Sequence, residues 1–261
     1  MRNIALLIQY DGTDYSGWQL QSNTVTLQGV IEEKISTIAG RRVNLVAAGR
    51  TDAGVHSLGQ VAAFKTESAH SPLTFKNALN ALLPPDIRIM NAAYAADSFH
   101  PRFDALKKSY IYTMTTDKTV SPFIHRYVWR LQHHLDIAAM KEAVPHILGR
   151  YDFSAFRGSG CGAKTPVRSI ISINIEENDS AGFISNSIKG SFIILRFEAD
   201  AFLRHMVRNI TGTLTEIGRG RLYPEDMKKI LDSKDRKNAG PTAPASGLFM
   251  ERVCYKDMLW Q

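Results

Sequence analysis

An aspartate, Asp52, stands between two glycines with an arginine and a histidine close by, in the string Gly49-Arg50-Thr51-Asp52-Ala53-Gly54-Val55-His56. An ionised carboxylate in such a setting can attack an electrophilic carbon, stabilise a positive centre or remove a proton. The residue types leave all three roles open. Residues 43–48 are apolar and strand-like, and a strand resumes over 60–64 after Leu58-Gly59-Gln60, so the string reads as a tight loop between strands. Gly49 and Gly54 lack the Cβ that would hold another molecule's backbone away. An isolated Asp-x-Gly is ordinary turn chemistry, but a loop on a rigid scaffold is where reactive groups are usually placed. His56, a lone loop histidine, more simply satisfies local hydrogen bonds and stays outside the catalytic set.

A carboxylate kept ionised away from water needs a cation or several donors to offset its desolvation. Arg204 and Arg208 are spaced to share one face of a helix expected to begin at Asp200, with Phe202, Met206, Ile210, Leu214 and Ile217 as its apolar stripe. By pattern alone that face is a solvated basic one. Tyr110 and Tyr112 point to one face of an alternating strand, which by pattern alone is core. Residues 158–165, Gly-Ser-Gly-Cys-Gly-Ala-Lys-Thr, approach a phosphate-binding P-loop but carry Ala163 where a glycine is required. They lead through Pro166 into a strand rather than a helix, so they read as a basic, Gly-rich loop able to touch RNA backbone. Cys161 and Cys254 have no paired spacing and no histidine cluster, which argues against a zinc site or a disulfide framework. No metal is expected.

The elements that must position these groups follow from periodicity. Residues 4–10 read as a strand ending at Asp11-Gly12, and Leu27, Val30, Ile31, Ile35 and Ile38 keep helical spacing up to Gly40. Ser71-Pro72 opens a second helix with Ala78, Leu79 and Leu82 on its apolar face, Pro84-Pro85 ends it, and 88–94 is a closing strand. The second half repeats the plan more loosely. Its strands are expected at 110–115, 170–175 and 192–197, with a helix from Asp136 that Pro145 should kink. The reading is α+β: two related halves, 1–105 and 106–261, sharing a largely antiparallel sheet with a cleft between them.

Composition bounds the partners. The 261 residues are 44% hydrophobic and 22% charged, as in an ordinary globular protein with a sizeable core. The 32 Lys and Arg exceed the 25 Asp and Glu, giving +7. A polyanion suits that balance, because basic side chains that neutralise phosphates release counterions; solubility charge is the plainer alternative. The apolar run at 4–8 is too short for a signal-peptide core and nowhere do eighteen apolar residues follow one another, so no membrane partner is expected and a reducing cytoplasm fits.

The Asp52 string closely resembles the catalytic motif of the tRNA pseudouridine synthase A family, and further matches keep the family's order along the chain. They are Tyr10-Asp11-Gly12-Thr13 with Tyr15, Gly17, Trp18 and Gln19; Ala78-Leu79-Asn80 with Leu83-Pro84; and Phe99-His100 with Arg102-Phe103-Asp104-Ala105. Then come Tyr110 and Tyr112, Asp152-Phe153 with Ala155-Phe156, Ala201-Phe202-Leu203 with Met206-Val207-Arg208-Asn209, and Ala243-Pro244-Ala245 with Gly247-Leu248. Departures are Tyr151 in place of a histidine, Pro101 and Pro145.

The resemblance implies the pseudouridine synthase fold, with two RRM-like halves, and isomerisation of uridine at positions 38 to 40 of the tRNA anticodon stem-loop. It makes Asp52 the essential residue, with nucleophile among its roles. It gives Arg208 as the partner cation, Tyr110 as the ring that stacks on the flipped uracil, and Arg50 as an aid in displacing the base or gripping its phosphate. Arg204 is a further phosphate contact. No cofactor and no nucleotide are implied, and the family works as a homodimer on tRNA. The rival reading is a non-catalytic RNA-binding protein with RRM-like halves, although no Lys/Arg-Gly-Phe strand motif is present.

Overall fold

The computed structural model describes residues 1–182, 185–257 and 259–260. In chain order the elements are β1 (Arg2–Tyr10), α1 (Leu27–Ala39), β2 (Val46–Ala47), β3 (His56–Thr66), α2 (Pro72–Leu82), β4 (Ile87–Ala95), β5 (Lys107–Thr115) and β6 (Trp129–Arg130). They continue with α3 (Ile137–Ala143), β7 (Gly149–Asp152), β8 (Val167–Ser180), β9 (Lys189–Ala199), α4 (Met206–Gly218), α5 (Asp226–Ser233) and β10 (Leu248–Cys254). Two compact units form, Met1–Lys108 with Phe249–Gln261, and Ser109–Leu248. Both are α+β with mixed strand pairing, as the sequence predicts. The division differs from 1–105 and 106–261 in that residues 106–108 and β10, from Phe249 onward, join the first unit. No described helix is long and apolar enough to cross a membrane.

In the first unit β1 lies between β3 and β4, antiparallel to both, with Ile4 opposite Phe64 and Leu6 opposite Ala92. Ile4, Leu6 and Ile8 meet Leu27, Ile31 and Ile35 of α1 and Phe75 and Leu79 of α2 in one core. Burying several such side chains at about 1.5–3 kcal/mol each is what fixes the helices on the sheet. Thr26 caps α1 by accepting from Gly29 N, and Gly40 ends it at φ 70°. Ser71 caps α2 with Pro72 in its first turn. The expected strand over 43–48 shrinks to β2. Leu45 N and Val43 N donate to side chains of α1, Glu32 (2.7 Å) and Ser36 (3.1 Å), while Val43 and Leu45 enter the core. The far edge of β3 also receives β10 in parallel, Phe249 opposite His56. Gly59 permits that approach, since a Cβ there would lie 2.4 Å from Glu251 O.

In the second unit β8 pairs antiparallel with β9 and β7, and β5 follows β9 and carries β6 in parallel. Asp136 caps α3 by accepting from Ala139 N. Pro145 does not kink that helix; α3 stops at Ala143 and a 3₁₀ turn covers Val144–Ile147. Proline's missing N–H and its clash with the preceding turn account for this. α4 is buried on nearly every side, at Met206, Val207, Asn209, Ile210, Thr211, Leu214 and Ile217 among others. Inside it Thr213 and Thr215 donate to the carbonyls of Asn209 and Thr211, so their hydroxyls need no water.

The start of α4 corrects the sequence reading. It begins at Met206, not after Asp200. The Asp200 carboxylate accepts instead from Ser169 N (3.0 Å) and Ala201 N (2.6 Å), and His205 precedes the helix in the left-handed region at φ 60°. Phe202 and Arg204 therefore lie outside the helix, and Arg204 does not share a helix face with Arg208.

Candidate active site

The Asp52 loop runs from the end of β2 to the start of β3, and buried groups of the first unit hold its backbone. Val55 N donates to Asp52 O (3.2 Å), closing a turn in which Gly54 takes φ 75°. Thr51 O accepts from Trp18 N (3.0 Å). Gly17 sits against the loop so closely that a Cβ would lie 2.8 Å from Thr51 O, and its φ of 90° also demands glycine. Gly49 O accepts from Gln60 Nε2 (2.7 Å), and Ala48 O from the buried Lys108 ammonium. The motif around residues 10–19 is thus the cradle of the loop. Asp52 itself is half-buried and Arg50 is exposed.

His56 is nearly inaccessible. Its Nδ1 accepts from Gly12 N (3.1 Å) and lies 3.0 Å from an Asp11 carboxylate oxygen, and its ring stacks on Phe249 at 4.8 Å. These contacts tie the loop's exit to β1 and β10, as a local structural histidine would.

In the second unit Tyr110 on β5 is 8% exposed, with its ring edge-on to Phe202 at 5.0 Å. Its neighbour Tyr112 is fully buried and donates to Pro244 O (2.7 Å). Burial raises the Tyr112 phenol well above its ordinary value, and the Arg208 charge works against that rise. Arg208 is half-buried in the first turn of α4. Its Nε donates to Ala243 O (2.7 Å) while its own carbonyl accepts from Ala243 N (3.1 Å), a reciprocal pair that aims the guanidinium. Residues 240–243 can lie this close because Gly212 has no side chain: a Cβ there would sit 1.7 Å from Pro241 O.

Arg204 is exposed, lies between β9 and α4, and bonds to the Gly-rich loop of residues 158–165. Its carbonyl accepts from Gly158 N (2.7 Å) and its Nη1 donates to Ser159 O (3.0 Å). After this loop the chain enters β8 rather than a helix, so the loop does not open a helix as a P-loop does. Cys161 in the loop is buried enough to raise its thiol. The N–H groups of Arg204 and Ala163 and the Arg157 side chain outweigh that and hold it below the ordinary value.

Sequence reasoning assigned no role to several groups that hold these candidate residues within each unit. Lys108 was open to discovery, because it precedes Tyr110 and Tyr112 at alternate strand positions and so shares their face. Asn209, Thr242 and Arg236 form a polar cluster under Arg208: Thr242 Oγ1 donates to Asn209 Oδ1 (2.6 Å), and Arg236 Nη2 reaches both (3.1 and 3.0 Å). Nothing in the spacing of those three residues announces them.

Comparison with known proteins adds a second line. A family model described as tRNA pseudouridine synthase matches residues 6–104 and 143–256. Arg50, Asp52, Arg204 and Arg208 fall inside those segments and Tyr110 falls between them. The tRNA pseudouridine synthase A of Thermodesulfovibrio yellowstonii is 44% identical over 255 residues, covering 98% of this chain and 100% of that protein. The tRNA pseudouridine synthase A of Myxococcus xanthus is 42% identical, covering 98% and 93%. That of Thermoanaerobacter sp. is 40% identical, covering 98% and 100%.

Proposed function

The chain belongs to the tRNA pseudouridine synthase family and isomerises uridine to pseudouridine in tRNA, and from that premise we propose that Asp52 is its nucleophile and that its targets lie at positions 38 to 40 of the anticodon stem-loop. In this reaction the bond from ribose C1′ to uracil N1 breaks, the base turns, and C1′ joins uracil C5. The proton of C5 is lost and N1 gains one, so no electron, water or group donor is consumed. The protein has to supply a carboxylate, a dry surface for the detached base and a route for a proton.

The observation that carries the reading is the support of the loop: its backbone is bonded to Trp18, Gln60 and Lys108, yet Asp52 stays partly open. A nucleophile needs that combination of fixed backbone and accessible carboxylate. The test is to map pseudouridine in an unmodified tRNA transcript before and after incubation. New pseudouridine confined to positions 38 to 40 supports the assignment, other positions overturn the target, and none at all favours a silent RNA-binding protein.

The remaining roles are proposed on the same basis. Arg208 is read, from the likeness to the family's motif, as the cation that favours the ionised carboxylate, and its side chain is held by Ala243 O. Arg50, exposed beside the loop, is read as a contact for the displaced base's phosphate. Extruding a base costs a few kcal/mol, which such contacts offset. Arg204, exposed and bonded to the Gly-rich loop, is read as a contact for the RNA backbone. The chain is read as a cytoplasmic homodimer on tRNA, in which one subunit steadies the RNA while the other reacts; a fully active species that sediments as a monomer overturns the shared substrate.

Tyr110 is read as the stacking ring. Tyr110→Phe keeps the aromatic face and loses the hydroxyl, whereas Tyr110→Leu loses both. The expected order of turnover is wild type, then Phe, then Leu, with a proton-handling role slowing Phe by about 10²-fold or more. Single-turnover rates on one transcript read this out, and equal rates for all three make Tyr110 plain core.

A further inference from the structure

We propose that Tyr10 is a positioning residue for the reaction: through Thr51 it fixes the backbone from which Asp52 projects. The proposal rests on reading Asp52 as the catalytic carboxylate. The Tyr10 hydroxyl and Thr51 Oγ1 are 2.8 Å apart, and both residues are buried, at 4% and 7% exposure. Tyr10 closes β1, where its backbone is paired with Ser57 of β3 on one side and Ile87 of β4 on the other. The hydroxyl is therefore carried by a residue whose backbone is paired on both sides, at the end of β1. Thr51 is the residue immediately before Asp52, so a bond to its side chain restrains the peptide that sets the carboxylate's direction.

The hydroxyl is what requires explanation, since a phenylalanine would fill the same core space without burying a polar atom. A buried tyrosine oxygen needs a partner, and here the partner belongs to the catalytic loop. Thr51, Gln60 and Ser57 side chains all act on this hydroxyl, while burial pushes the phenol up to about 12. It thus keeps its proton across the physiological range. Gln60, which is fully buried, binds the same loop at Gly49 O. The loop is gripped on either side of Arg50, at Gly49 and at Thr51, and its reactive residue follows directly.

The experiment measures single-turnover rates on a saturating tRNA transcript, tRNA affinity and thermal unfolding for Tyr10→Phe, Thr51→Val, Thr51→Ser and the double variant Tyr10→Phe/Thr51→Val. Asp52→Asn is run beside them. A displacement of about 1 Å costs on the order of 10²-fold in rate, so Tyr10→Phe and Thr51→Val are each expected to be slowed by about 10- to 100-fold. Affinity is expected to change by less than about twofold, because binding rests on phosphate contacts. Thr51→Ser keeps the hydroxyl and restores most of the rate. The double variant is no slower than the slower single, since both break one interaction.

Tyr10→Phe turning over at the wild-type rate, with only its unfolding temperature lowered, overturns the proposal and leaves Tyr10 as core. So do losses that multiply in the double variant. If Asp52→Asn keeps its activity, the reading of Asp52 falls and this inference falls with it. If Asp52→Asn is inactive and Tyr10→Phe is normal, only the positioning role is lost.

Discussion

Asp52→Asn is expected to lower the rate of pseudouridine formation by at least about 10³-fold, the scale on which removal of a covalent nucleophile acts. The amide is nearly isosteric with the carboxylate, and the loop is held through backbone atoms and neighbouring side chains rather than through Asp52 alone. The folded structure should survive. Affinity for tRNA should stay within about tenfold of wild type, because counterion release from phosphates dominates binding. The measurement is a single-turnover assay paired with a binding isotherm on the same transcript. Unaltered turnover removes Asp52 from the chemistry, whereas lost turnover together with lost binding points to a misfolded loop.

Gly212→Ala is expected to be the most damaging single methyl group in the second unit. The new Cβ would overlap Pro241 O at 1.7 Å, in the middle of a helix buried on nearly all sides. The contacted atoms cannot yield easily, because they are backbone. Alanine favours the helix over glycine by about 1 kcal/mol. The clash opposes this with about 3 kcal/mol or more, the upper end for overpacking. The net loss should lower the unfolding midpoint by several degrees, at about 2–4 °C per kcal/mol. It should also slow catalysis in the molecules that remain folded, since the displaced segment carries Ala243 O, the acceptor for Arg208. Gly162→Ala is the control: nothing lies within 4 Å of its Cβ position, and its stability should change by less than about 0.5 kcal/mol. If the two variants melt alike, the contact of α4 with residues 240–243 is looser than described.

Much of this architecture was legible in residue spacing. The period of Leu27, Ile31 and Ile35 and the stop at Gly40 define α1 to within a residue, and Ser71-Pro72 marks the start of α2. In these segments local preference and core burial agree. Reading failed where a side chain had a better partner than the local rule supplies. Asp200 has the character of a helix cap, but its carboxylate is taken by Ser169 N from a strand far away in sequence. Residues 43–48 look like a strand, yet Ser36 and Glu32 of α1 take the N–H groups of Val43 and Leu45. The site was legible in the same uneven way. Asp52 announced itself through flanking glycines, whereas the supports beneath it, Lys108 and Thr51, act through contacts that only folding creates.

The pairing of β10 with β3 sets a clock on synthesis. Ser57 donates to Met250 O across 193 positions of sequence, and a ribosome adding about 5–20 residues per second needs roughly 10–40 s to make that stretch. Throughout that interval the start of β3, just beyond the Asp52 loop, offers an open strand edge of the kind that invites wrong partners. A nascent chain therefore cannot complete the pairing beside the Asp52 loop until Met250 has been translated. Messages cut short before Phe249 should yield proteins whose β3 edge stays open and whose His56 lacks its stacking partner. Such fragments would draw chaperones and proteases rather than tRNA.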